Sequence, residues 1–294
     1  MKRILLITLL CFTSLLWACT QEQNPADGTK AVAPAAKKEV TLVYVEWVAE
    51  VASTNVMRVV LEELGYEVKT LPVGAAAMWQ ALGSGDADAM TSAWLPTTHG
   101  HYLEEVRETV EDLGPNLVGT RIGLVVPEYV TIDSIAELDA HADKFSGRII
   151  GIDPGAGIMS LTEKAVEEYG IKNLRLVEGS GATMTAALSD EIKNNNWAVV
   201  TGWTPHWKFA RWDLKYLEDP QGIYGGEETI NTIVRKGLKE EMPEVYALLD
   251  HFNWTAPQCE ELIAANQEDG ADPYVNAKSW VENHRDLVNG WLGK

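Results

Sequence analysis

The sequence predicts an α/β protein of two lobes with a ligand cleft between them. Three observations carry that expectation. Apolar, strand-like runs alternate with segments of helical periodicity along most of the chain. The alternation restarts near residue 148. In each half a strand–helix–strand–helix–strand run ends in the same grammar, two small residues, a tryptophan, one residue and a proline: "SAWLP" at 92–96 and "TGWTP" at 201–205. A length of 294 residues suggests about two domains and a sizeable core.

Taken in order, "VTLVYVEW" alternates as a strand ending near Trp47. "TNVMRVVLEELGYE" follows with Val56, Val59, Val60 and Leu64 on one helical stripe and Gly65 as its stop. "YEVKTLPV" is the next strand, "AAAMWQALGSG" a helix and "ADAMTSAW" a strand. After a further helical stretch comes the strand "RIGLVVP". Beyond "IDSIAELDAHADKFSG" the second half reads "RIIGIDPGAGI" (strand into glycines), "SLTEKAVEEYG" (helix), "NLRLVEG" (strand), "TMTAALSDEIKNN" (helix) and "WAVVTGW" (strand). "TINTIVRKGL" is one more strand before a helical C-terminal region. Strands separated by helices predict a mostly parallel sheet covered on both faces. The repeat is one of architecture, not a short-period solenoid.

The N-terminus reads as a leader. "MKR" is a positive start, and "ILLITLLCFTSLLWA" is apolar but short for a membrane span. It ends in "LWAC", which resembles the lipobox of bacterial lipoproteins, with Cys19 as the lipidated residue and Trp17 bulky for its place. The expected organisation is a leader at 1–19, a flexible tether at 20–39, and a first lobe at 40–128. The second lobe is expected at 129–234, with a return to the first lobe at 235–294. Cys11 falls in the leader, so Cys259 is left alone and no internal disulfide is expected. The formal net charge of −19 becomes −21 if Lys2 and Arg3 leave with the leader, and it argues against nucleic acid as a partner.

In open α/β sheets ligands sit beyond the carboxyl ends of strands, where Trp47, Trp94 and Trp203 all fall. Tryptophan faces attract a cation, by about 2 kcal/mol or more per good contact when desolvated. A quaternary ammonium has no N–H to donate, so an aromatic cage is its fitting receptor. "DPGAGI" before a helix suits the opposite charge, because the free N–H groups of a helix start bind anions. Gly155 and Gly157 let a ligand approach that backbone closely. His99 is a hydrogen-bond donor for a carboxylate. His99 and His101 alone make a weak metal motif, and "EGSGA" around Ser180 is not a nucleophile elbow.

Several of these stretches carry a family resemblance. "YVEWVAEVASTNV", "SAWLPTTH", "IGLVVPEYV", "GIDPGAGIMSLTEKA" and "VVTGWTPHW" resemble the substrate-binding proteins of glycine betaine/proline betaine ABC importers, from about Val40 to the C-terminal region. The resemblance implies a two-lobed, periplasmic-binding-protein-like (type II) fold with a hinge. It implies no enzymatic activity and no cofactor or metal. Trp47, Trp94 and Trp203 would cage the trimethylammonium, and the N–H groups of Gly157 and Ile158 together with His99 would hold the carboxylate. Val48 departs from the polar or acidic residue that often follows the first tryptophan, which bears on fine specificity. The implied setting is extracytoplasmic, on a membrane through the Cys19 lipid. There a monomer delivers glycine betaine or proline betaine to an ABC permease for osmoprotection. Other readings are a receptor for choline, carnitine or another quaternary amine, a secreted hydrolase, or a metal-binding lipoprotein.

Overall fold

The alternation along the chain becomes nine strands and eleven α-helices in a computed structural model that describes residues 39–294. The expected leader, its Cys19 and the tether as far as residue 38 lie outside the described residues. The first half runs β1 (Glu39–Tyr44), α1 (Val48–Glu63), β2 (Glu67–Pro72), α2 (Ala75–Ser84), β3 (Ala89–Leu95), α3 (Gly100–Val106) and β4 (Val110–Pro127). After two 3-10 turns come β5 (Arg148–Ile150), α4 (Gly157–Glu168), β6 (Arg175–Val177), α5 (Gly181–Lys193), β7 (Val200–Thr204), α6 (Lys208–Arg211) and β8 (Leu214–Tyr216). The chain closes with β9 (Glu228–Arg235), α7 (Leu238–Glu241), α8 (Pro243–His251), α9 (Ala256–Ala265), α10 (Pro273–Asn283) and α11 (Arg285–Trp291).

The helical stripe of α1 is buried at Val56, Val59 and Val60, and the helix packs on β1, β2 and β3. Its other side packs on α9 and α10. Gly65 ends this helix with φ +85°, a conformation that L side chains rarely adopt. The helix begins at Val48, six residues ahead of the expected Thr54, because Trp47 already serves as its N-cap. Cys259 sits buried on α9, and burial raises its thiol pKa, so it packs as a small apolar side chain.

The strands follow the order β2-β1-β3-β9-β4-β7-β5-β6, with β8 on β4. The expected mostly parallel sheet is corrected here: parallel pairing holds only in the two wings, β2-β1-β3 and β7-β5-β6. The centre is antiparallel, because β4 takes the chain out of the first lobe and β9 brings it back. Opposite directions of travel through one pair of neighbours leave no other pairing. β4 pairs with β9 up to Thr120 and with β7 from Arg121.

Candidate functional site

Trp94 lies near the end of β3, Trp203 near the end of β7, and Trp47 between β1 and α1. All three meet at one cavity, which is also lined by His99, Gly157, Ile158, Glu50, Thr98, Ile122, Ile152, Ala49 and Ala156. Each of the six cleft residues singled out in the sequence is present, drawn from both lobes. The cavity is small, about 30 Å³ in water-centre volume. That exceeds the ~10–15 Å³ a single water needs and suits one compact solute. The tryptophans are 9%, 4% and 5% exposed for Trp47, Trp94 and Trp203, so their faces are largely dry.

Local backbone chemistry sets His99. The Trp94 N–H donates to His99 Nδ1 at 3.1 Å, and the His99 N–H donates back to the Trp94 carbonyl at 2.8 Å. The loop at 95–98 is thereby pinned as a ring. Glu228, at the start of β9, holds the same loop by accepting the N–H groups of Thr97 (2.6 Å) and Thr98 (2.8 Å) and the Thr98 hydroxyl. Because Nδ1 accepts, the proton of the neutral imidazole resides on Nε2. That Nε2 is buried and has no hydrogen-bond partner among the described residues. Burial, helped by the charge of His101, lowers the His99 pKa to about 3. A neutral N–H donor thus waits in the cavity, its ring stacked 5.8 Å from Trp47.

The second set of donors comes from α4. Its N-cap is Ala156, with no side-chain cap, and the N–H groups of Gly157 and Ile158 find no acceptor among the described residues. With the helix dipole behind them they favour an anion. Gly157 is required by space: a Cβ there would stand 2.1 Å from the Thr98 carbonyl oxygen of the facing lobe.

Three features that sequence reasoning missed surround the site: a pair of lobe-bridging hydrogen bonds and two buried titratable side chains. The Trp47 indole N–H donates to Asp153 Oδ2 at 3.3 Å, and the Tyr102 hydroxyl donates to the Gly155 carbonyl at 2.7 Å; both bonds cross between lobes. Lys208 is fully buried, with Nζ 4.3 Å from the Trp203 ring centre, yet it does not line the cavity. Desolvation lowers its pKa well below the usual lysine range. Glu50 is the third, and its place three residues after Trp47 on the first turn of α1 was the available signal. Among the described residues no cluster of His, Cys, Asp or Glu is arranged to hold a metal ion.

A dry aromatic wall facing unpartnered N–H donors has the chemistry to suit a small dipolar molecule, cationic at one end and anionic at the other. Comparison with known proteins gives the same direction. Residues 38–283 match the family model of the substrate binding domain of ABC-type glycine betaine transport systems. A glycine betaine/carnitine transport binding protein of Listeria monocytogenes is 45% identical over 163 residues. That match covers 54% of this chain and 54% of the relative, so the chain aligns with about half the length of this curated relative. Among solved structures, a glycine betaine/L-proline-binding protein of Borrelia burgdorferi has a TM-score of 0.85 at 41% identity, covering 86% of this chain and 96% of that one. A lactococcal protein in its closed conformation with glycine betaine has a TM-score of 0.82 at 46% identity, covering 87% and 99%.

Proposed function

This chain belongs to the family of substrate-binding domains of ABC-type glycine betaine transport systems, and from that premise we propose that it captures glycine betaine in the cavity between its lobes. The family is one of solute receptors for transport, not of enzymes. The methylated nitrogen sits among Trp47, Trp94 and Trp203, where cation–π attraction replaces hydrogen bonds that it cannot make. The carboxylate takes the His99 Nε2–H and the N–H groups of Gly157 and Ile158. One observation carries the reading: those three donors are unpartnered and share a cavity with the tryptophans. An empty cavity leaves them unsatisfied, and a bound carboxylate satisfies them.

The receptor then works by closure. Trp47–Asp153 and Tyr102–Gly155 bridge the lobes and Gly157 seats against Thr98, so ligand and lobe contacts form together. In this reading the closed protein presents glycine betaine to an ABC permease, held near the membrane through Cys19. Proline betaine has the same ammonium and carboxylate and fits the same logic; choline lacks the carboxylate. A calorimetric titration against glycine betaine, proline betaine, choline and carnitine tests the reading. One of the two betaines should bind most tightly. Tighter binding of choline or carnitine, or no betaine binding at all, would overturn it.

A further inference from the structure

Among the described residues, Glu50 is the one carboxyl group that lines the cavity. It is 1% exposed, and its Oε2 accepts the Val45 N–H at 2.9 Å. Among the described residues its Oε1 has no partner in hydrogen-bonding geometry; the Ser92 hydroxyl lies beside the carboxyl and is within 3.6 Å of Met78 Sδ. On one side Glu50 lines the tryptophan cage. On the other it lines a small void with Ser53, Thr91, Asn116, Trp254 and Cys259. Among the described residues no lysine or arginine lines either cavity, and the only other titratable groups there are His99 and Cys259. Neither supplies a positive charge near neutrality, since burial holds His99 neutral and keeps Cys259 a thiol.

A buried carboxyl group with no cation nearby is unfavourable as an anion. Burial accordingly raises the Glu50 pKa well above the usual carboxylate range, although the Val45 N–H and the Ser92 side chain pull the other way. The first turn of α1, with its positive helix end, keeps the ionised form within reach. What the site lacks is a positive charge, and a quaternary ammonium among the three tryptophans brings one.

We propose that Glu50 is the counter-ion of the cage: it holds a proton while the cage is empty and releases it to solvent when a quaternary ammonium enters. The proposal rests on the cage reading above. The step breaks one O–H bond at Glu50, passes the proton to buffer, and leaves a carboxylate beside the ligand cation. Binding and proton release are then linked, so affinity for the cation rises with pH across the range in which the empty site is protonated, by up to about tenfold per pH unit. The sign identifies the group. His99, on meeting a carboxylate, would shift upward and take a proton up, whereas Glu50 gives one away.

Calorimetric titration with glycine betaine near neutral pH, in phosphate and in Tris, reads the proton directly because the two buffers differ in ionisation heat. The parent protein should show a buffer-dependent heat corresponding to proton release. Glu50→Gln should bind more weakly and with the same heat in both buffers. Should that variant fail to fold, the affinity of the parent between about pH 5 and 9 decides alone, rising with pH if Glu50 is the counter-ion. Betaine binding with buffer-independent heat and flat affinity overturns the Glu50 proposal and leaves the cage intact. Continued proton release by Glu50→Gln overturns it also. Absence of any betaine binding by the parent removes the cage reading, and the proposal with it.

Discussion

Trp94 contributes to the site twice, through its ring as a cavity wall and through its backbone as the donor that orients His99. The two roles separate by substitution. Trp94→Leu keeps an apolar side chain in β3 and the backbone bond, and removes the indole ring with its quadrupole. Glycine betaine should then bind about tenfold more weakly, the equivalent of losing roughly 1–2 kcal/mol of cation–π attraction. An unchanged dissociation constant would take Trp94 out of the cation site. For His99 the discriminating test compares two ligands. A hydrogen bond to a charged group contributes about 1.5–3 kcal/mol, so His99→Ala should weaken glycine betaine markedly and choline much less. Equal losses would mean that His99 shapes the cleft and does not read the carboxylate. At this scale the sequence was legible where a residue stood at a strand exit, as the three tryptophans and His99 do. Asp153 and Lys208 were not legible, because each acts on a tryptophan far away in sequence or through a ring that only folding brings near.

Among the elements, α4 and the loop after β3 meet across the lobes, and Gly157 is where they touch. Its Cβ-free backbone matters only when the lobes are together, since the clash at 2.1 Å is with Thr98 of the other lobe. Gly157 also has an ordinary helical position, so alanine suits α4 itself. Gly157→Ala should therefore leave the melting temperature of the ligand-free protein within about 3 °C of the parent. It should weaken glycine betaine by tenfold or more, as closure is blocked. A large fall in melting temperature with intact affinity would show that the glycine serves the fold instead. Element boundaries and strand direction were the less legible part. The wings of the sheet follow the strand–helix rhythm, but β4 and β9 pair across more than a hundred residues, and hydrophobic period does not encode direction. β8 has three residues, too few to show any period.

For the molecule as a whole, two buried neutral histidines make acid the vulnerable side. Burial lowers the pKa of His99 to about 3, and burial together with the charge of Lys208 lowers that of His206 to about 2. The unfolded chain protonates both near 6.5. Between those values the unfolded state binds more protons, so stability falls as pH drops from about 6.5 towards 3. Glu50 acts in the opposite sense, its contribution being lost as pH rises through its raised folded value. Comparing the parent with His206→Asn, which keeps an acceptor for the Lys208 N–H, isolates one histidine. Melting temperature should fall less steeply with acid in the variant; identical slopes would mean that His206 is not held neutral by the fold.

In the proposed function, methylation of the nitrogen is the property that the three tryptophans read. Glycine carries the same carboxylate and the same charge as glycine betaine and differs only by three methyl groups. Its ammonium, strongly hydrated and rich in N–H donors, would have to be stripped of water against indole faces with few acceptors. The most direct measurement is a competition titration of glycine against bound glycine betaine. Glycine should fail to displace the betaine at a hundredfold excess or more, a difference of about 3 kcal/mol. Displacement by glycine at comparable concentration would contradict the cage, because the cavity would then be reading only the carboxylate and the charge.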